Sequence, residues 1–156
     1  MKNDYSLFNY DEYWMRRALF FAYKAYSFSE VPVGAVLVMD NIEVGSGFNF
    51  TISSTDPSSH AEINCLRYSS LNLSNYRLMN STLYVTLEPC LMCIGAILIA
   101  RVKRVVYGAN NIKVYTKNST LNNIKFSNPF HKISFMGGIL ASESAYLLNL
   151  FFIDKR

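Results

Sequence analysis

Apolar residues recur along this chain with two periods, and the change from one to the other divides it into helices and strands. From Asp11 to Ser27, Trp14, Ala18, Phe21, Ala22 and Ala25 fall at helical spacing, which predicts an amphipathic helix. Val33 to Met39 is a continuous apolar run with β-branched residues and predicts a strand buried on both faces. Asp40-Asn41 supplies a tight turn, and Ile42 to Phe48 returns as a second strand. Asp56-Pro57-Ser58-Ser59 is a helix-entry signal for a helix from about His60 to Tyr68. Leu83 to Thr86 reads as a strand. Pro89 then opens a helix through Ala100, since its fixed φ and missing N–H suit a first turn. Val102 to Tyr107 reads as a strand closed by Gly108, Ile133 to Phe135 as a short edge strand, and Ser142 to Phe152 as the final helix. Residues Asn110 to Asn128 are polar and carry no clear period. Strands alternating with helices predict one α/β domain over residues 1–156, with a mixed sheet covered by helices on both faces.

Composition narrows the class. Hydrophobic residues make up 51% of the chain and charged residues 17%, which excludes disorder over most of it. No run reaches ~18 uninterrupted apolar residues, so no membrane span is expected. The start, Met1-Lys2-Asn3-Asp4-Tyr5, lacks the apolar core of a signal peptide, and a cytoplasmic location is expected. A formal charge of +4 suits a polyanionic partner, although many small domains are slightly basic without one.

The candidate chemistry gathers at two helix starts. His60 opens one; Cys90 and Cys93 open the other, three residues apart and on one face. An odd cysteine count argues against a disulfide framework, and Cys65 stands alone as a small buried helix residue. One imidazole and two thiolates make three protein ligands for Zn2+, one ion per subunit, with a fourth tetrahedral position left for water. Glu62, two residues after His60, is placed to handle protons beside the metal: zinc lowers the pKa of bound water toward ~7, so a carboxylate there can take that proton. A lone C-x-x-C also occurs in redox pairs and structural zinc ribbons. A structural site wants a fourth ligand, however, and His131, the remaining histidine, belongs to no second ligand pair. His-x-Glu followed by Pro-Cys-x-x-Cys is the signature of zinc-dependent nucleobase deaminases.

The chain resembles the bacterial tRNA adenosine deaminases beyond that signature. The resemblance is carried by Glu12-Tyr13-Trp14-Met15-Arg16, Glu30-Val31-Pro32-Val33-Gly34-Ala35-Val36, His60-Ala61-Glu62-Ile63 and Tyr84-Val85-Thr86-Leu87-Glu88-Pro89-Cys90. It continues through Arg104-Val105-Val106-Tyr107-Gly108-Ala109, Gly138-Ile139-Leu140 and Phe151-Phe152. It implies a three-layer α/β/α cytidine-deaminase-like fold, a homodimer, a tRNA anticodon stem-loop as partner, and conversion of adenosine to inosine at the wobble position. It also implies that Asn49 contacts the target nucleotide and that Pro32, Val33 and Ala61 line the substrate pocket; by themselves these residues read equally as turn, strand entry and core. Glu88 reads as helix entry or as support for the site. The rivals are a salvage enzyme deaminating free guanine or cytosine, a nucleic-acid-binding module with structural zinc, and a non-catalytic partner subunit. One departure from the family stands out. After Gly108-Ala109 the family usually carries a basic and then an acidic residue, whereas this chain has Asn110 and Asn111, followed by the altered stretch Val114 to Asn118. An amide at Asn111 accepts a hydrogen bond from a ribose 2′-hydroxyl more weakly than a carboxylate, which implies either looser discrimination between RNA and DNA or neutral drift.

Overall fold

The computed structural model describes residues 4–111 and 131–155, with side chains from Tyr10 onward. Among the described residues ten elements follow one another: α1 (Asp4–Ser27), β1 (Gly34–Met39), β2 (Ile42–Phe48), α2 (Thr51–Ser54), α3 (Ala61–Asn72), β3 (Thr82–Leu87), α4 (Leu91–Ile99), β4 (Arg104–Ala109), β5 (Ser134–Gly137) and α5 (Ala141–Asp154). The strands form one mixed sheet in the order β2-β1-β3-β4-β5. β1 pairs antiparallel with both β2 and β3, while β3, β4 and β5 run parallel.

The apolar run of β1 is buried on both faces, as its composition predicts. Ala35 and Leu37 pack with Cys65, Leu66, Cys93 and Ile97 from α3 and α4. Val36 and Val38 pack with Trp14, Met15 and Ala18 from α1 on the opposite face. Alternation at period two therefore splits one strand between two cores, and the helices on each side close the α/β/α layers. Two glycines permit the close approach. A Cβ at Gly34 would meet Ala18 O at 2.1 Å, and one at Gly47 would meet Cys65 N at 2.4 Å and Ala61 O at 2.5 Å. Gly47 thus lets the first turns of α3 lie directly on β2.

The differences from the sequence reading lie at element ends and in one short added helix, α2. Helix α1 starts at Asp4 rather than Asp11, and β1 starts at Gly34, leaving Val33 as buried loop. Helix α3 continues beyond Tyr68 to Asn72; Ser69 stays within it by donating its hydroxyl to Cys65 O at 2.8 Å. Pro89 does not occupy the first turn of α4. Cys90 is extended (φ −75°, ψ 170°) and caps the helix, so both Pro89 and Cys90 lie outside it. Helix α2 has no periodic signature in the sequence; it is held from a distance by Glu30, whose carboxylate accepts from Ile52 N–H (3.1 Å), Ser53 N–H (2.7 Å) and the Thr51 hydroxyl (3.2 Å). The polar segment Asn110 to Asn128, including Val114 to Asn118, lies for the most part outside the described residues.

α1 is tied to the sheet by a buried polar knot. Asp11, 3% exposed, accepts two bonds from Arg104 (2.8 and 2.6 Å) and one from the Tyr84 hydroxyl (2.8 Å). The Asp11 carboxylate raises the Arg104 pKa, and burial followed by the bond to Asp11 raises that of Tyr84. Asp11→Ala leaves a guanidinium and a hydroxyl without their acceptor, and chemical denaturation should show a loss of about 2–4 kcal/mol.

Candidate metal centre and active site

The carboxyl ends of β2, β3 and β4 and the amino end of β1 lie at one side of the sheet, as the pairs Phe48–Gly34 and Leu87–Ala109 require. Helices α3 and α4 begin there. The residue before each helix has the same backbone conformation: His60 at φ −76°, ψ 157°, and Cys90 at φ −75°, ψ 170°. Each accepts the first helical bond with its carbonyl, from Asn64 N–H and Ile94 N–H respectively, both at 2.9 Å. Two capping residues thus face one another across the sheet end, and Cys93 joins them from the first turn of α4.

The three ligand atoms form a nearly equilateral triangle. Cys90 Sγ to Cys93 Sγ is 3.6 Å, Cys90 Sγ to His60 Nδ1 is 3.6 Å, and Cys93 Sγ to His60 Nδ1 is 3.5 Å. Thiolates and an imidazole at about 2.3 and 2.1 Å from a tetrahedral zinc stand about 3.5–3.8 Å apart, so the donor set fits the ion in chemistry and in size. Among the described residues no fourth side chain joins these three. The bond donated by Cys93, and next that of His60, lowers the Cys90 pKa to about 4 despite burial; the same bond and burial push the Cys93 pKa far up. A coordinated divalent cation deprotonates both thiols. The two helix N-termini favour that negative charge.

Glu62, in the first turn of α3, is 4% exposed. Burial, the largest cause, and the neighbouring Cys90 thiolate raise its pKa to about 7, against the opposing effects of its own backbone N–H, His60 and Cys93. A carboxyl poised there gives and takes a proton near neutrality. Asn49, 8% exposed, lies just after β2. Ala61 N–H donates to its Oδ1 at 2.8 Å, which fixes the amide orientation and turns Nδ2 away from α3. Among the described residues Nδ2 has no hydrogen-bond partner, so it is free to donate to a bound molecule.

The remaining sequence candidates take distinct places. Ala61 is fully buried between His60 and Glu62, Pro32 is buried, and Val33 lies in the core against α3 and α4, with its carbonyl accepting from Asn49 N–H at 3.1 Å. Cys65 is buried, its pKa raised by burial, and bonded to Gly45 O at 3.5 Å. His131 pairs with Val102 O at 2.7 Å. Neither joins the ligand triangle. Sequence reasoning passed over Glu30 and left Glu88 open. Glu30 is fully buried; burial acts to raise its pKa, but the bonds from Ser53 and Ile52 hold it below the usual carboxylate range and fix the segment after Asn49. Glu88, 3% exposed, accepts from Asn111 N–H at 3.1 Å and donates its own N–H to Ala109 O at 2.8 Å, fastening the chain after β4 to the residues before Cys90. The signal for both was their place in the motifs, acidic residues two positions before Pro32 and one before Pro89.

Residues 8–109 match the cytidine and deoxycytidylate deaminase zinc-binding region. The chain is 46% identical over 148 residues to the tRNA-specific adenosine deaminase of Buchnera aphidicola subsp. Schizaphis graminum, covering 95% of this chain and 97% of that one. It is 48% identical over 149 residues to that of Haemophilus influenzae, covering 94% and 86%. Among solved structures it is similar to one from a study of A-to-I editing by tRNA:A34 deaminases at the wobble position of transfer RNA. The TM-score is 0.80 at 38% identity, with 86% of this chain and 98% of that one covered. The guanine deaminase of Bacillus subtilis is similar over 64% of each chain, with a TM-score of 0.61 and 38% identity.

The ligand assignment has a direct check. Elemental analysis should find one zinc per chain in the natural protein and in Glu62→Gln, and a large loss in Cys90→Ser. Because zinc binding is coupled to folding, Cys90→Ser should also melt at a lower temperature; full zinc occupancy in that variant contradicts the assignment.

Proposed function

The chain belongs to the cytidine and deoxycytidylate deaminase family, and from that membership we propose that it deaminates adenosine to inosine at the wobble position of a tRNA anticodon. The observation that carries the reaction class is a buried carboxyl, Glu62, beside a three-ligand triangle that leaves one coordination position open. The relatives named as tRNA-specific adenosine deaminases, matched over nearly their whole length, support the substrate.

Zinc held by His60, Cys90 and Cys93 would supply a water acidified toward a pKa of ~7. Glu62 is placed to pass one proton of the attacking water to ring nitrogen N1 and then to carry the remaining hydroxyl proton from C6 to the departing amine. Water thereby replaces the amino group at C6, and ammonia leaves. Asn49 Nδ2 donates to the target nucleotide and holds it over the triangle. Pro32, Val33 and Ala61, all buried, support the wall of the pocket from behind. Bases in an anticodon loop are already partly unstacked, which lowers the cost of bringing one into the site.

Two further parts of this reading concern assembly. The chain acts as a homodimer, supported by an apolar groove of about 650 Å³ between α3 and α4. Leu71, Tyr76 and Ile99 in its lining are 80, 57 and 70% exposed, more apolar surface than an unpaired helix face normally shows water. Ile99→Asp should convert a dimer to a monomer by light scattering; a natural protein that is already monomeric removes this part of the reading. No helix among the described residues is long and apolar enough to cross a membrane, and the enzyme works in the cytoplasm, where tRNA is found.

The activity test sets an anticodon stem-loop bearing a wobble adenosine against free guanine, cytosine and adenosine. Inosine should form in the stem-loop alone, and Glu62→Gln should lose at least ~10³-fold in rate, because one group serves several proton transfers. Turnover of free guanine instead would favour the salvage reading, to which the likeness to guanine deaminase also points.

A further inference from the structure

Beside the ligand triangle the protein displays three phenylalanines that the reaction does not use. Phe48 ends β2, Phe50 follows Asn49, and Phe28 lies just past the end of α1. Phe28 and Phe48 are nearly parallel, with centroids 5.9 Å apart and 13° between planes. Phe50 stands edge-on to both, at 5.5 and 5.7 Å. The cluster is not sealed: Phe28 is 50% exposed, and the other two rings are only half-buried.

Its position is set by the site. Phe48 and Phe50 flank Asn49, whose side chain caps Ala61. Phe50 N–H donates to the carbonyl of Ser59, the neighbour of His60, at 2.9 Å. Phe28 is held at the turn that ends α1, donating its N–H to Ala25 O at 3.0 Å, two residues before Glu30 anchors α2. Lys24 places its ammonium 5.6 Å from the Phe48 centroid. A rigid aromatic surface beside a cation, continuous with a site that receives one nucleotide, has the makings of a platform for single-stranded nucleic acid: rings stack bases, and the cation meets phosphate.

Resting on the proposed substrate, we propose that Phe28, supported by Phe48 and Phe50, stacks on the base of a nucleotide flanking the target adenosine, with Lys24 meeting the adjoining phosphate. The platform selects a substrate whose neighbouring base is unpaired and free to splay, as in a loop, and is a specificity-determining surface rather than part of the chemistry. It is sequence-tolerant, because every base offers a π-face.

The test is a coupling between ring and base. kcat/KM is measured for the natural protein, Phe28→Ala and Phe28→Leu on three stem-loops: intact, abasic on the 5′ side of the target, and abasic on the 3′ side. On the intact loop both variants should lose about tenfold or more, a size typical of one stacked base. On the loop lacking the stacked base, natural protein and variants should be equal. Zinc content stays at the natural level throughout. A Phe28→Leu variant with natural activity means that packing matters and the ring does not, which overturns the proposal. The same fold loss on all three loops, or no loss on any, overturns it too. A natural protein inert on the intact loop brings down the functional reading and this inference with it, whereas an active one without coupling brings down the inference alone.

Discussion

The His60 imidazole lies 3.5–3.6 Å from the thiols of Cys90 and Cys93, thirty or more positions further along the chain, and the rest of the structure serves that convergence. It requires α3 and α4 to begin side by side at one end of one sheet. β2 delivers the chain to α3, and β3 delivers it to α4. Because β1 lies between β2 and β3 and pairs with both, the separation of the two helix starts is set by strand spacing. Gly47 removes the side chain that would hold α3 off the sheet. The same backbone conformation at His60 and Cys90 then points both ligands away from their helices and toward each other.

The surrounding carboxyls divide the work by environment. Glu62 has burial and a thiolate against it and sits near neutrality, suited to moving protons. Glu30 is equally buried but receives backbone N–H groups, stays ionised, and serves as an anchor for α2. Glu88 pins the chain after β4 to the approach to Cys90. One residue type thus supplies a reactive group and two fasteners, set apart by what each carboxylate faces: the ligand triangle for Glu62, backbone N–H groups of other segments for Glu30 and Glu88.

The surface divides as well. The aromatic cluster lies at the ends of β2 and α1, around Asn49, whereas the apolar groove lies between α3 and α4. The helices that carry the ligands therefore have their N-termini at the ligand triangle and an apolar groove along their flanks.

The sequence by itself determined the elements with strong periodicity and the chemistry of the motifs. The doubly buried β1, the hairpin to β2, and His60, Glu62, Cys90 and Cys93 follow from local pattern and residue type, because period and ligand chemistry are properties of short segments. Only the tertiary structure decided the rest. Helix α2 exists because Glu30, some twenty residues earlier, caps it, and no periodic signal in Thr51–Ser54 records that. Cys90 stands outside α4 because it caps the helix from extended backbone and faces His60, although Pro89 alone suggested a first turn there. Asn49 presents Nδ2 because Ala61 N–H claims its oxygen, and Phe28, Phe48 and Phe50 meet because two loops end at one edge of the sheet. Each of these depends on contacts between distant segments, whose geometry is set by strand order and packing and has no local signature.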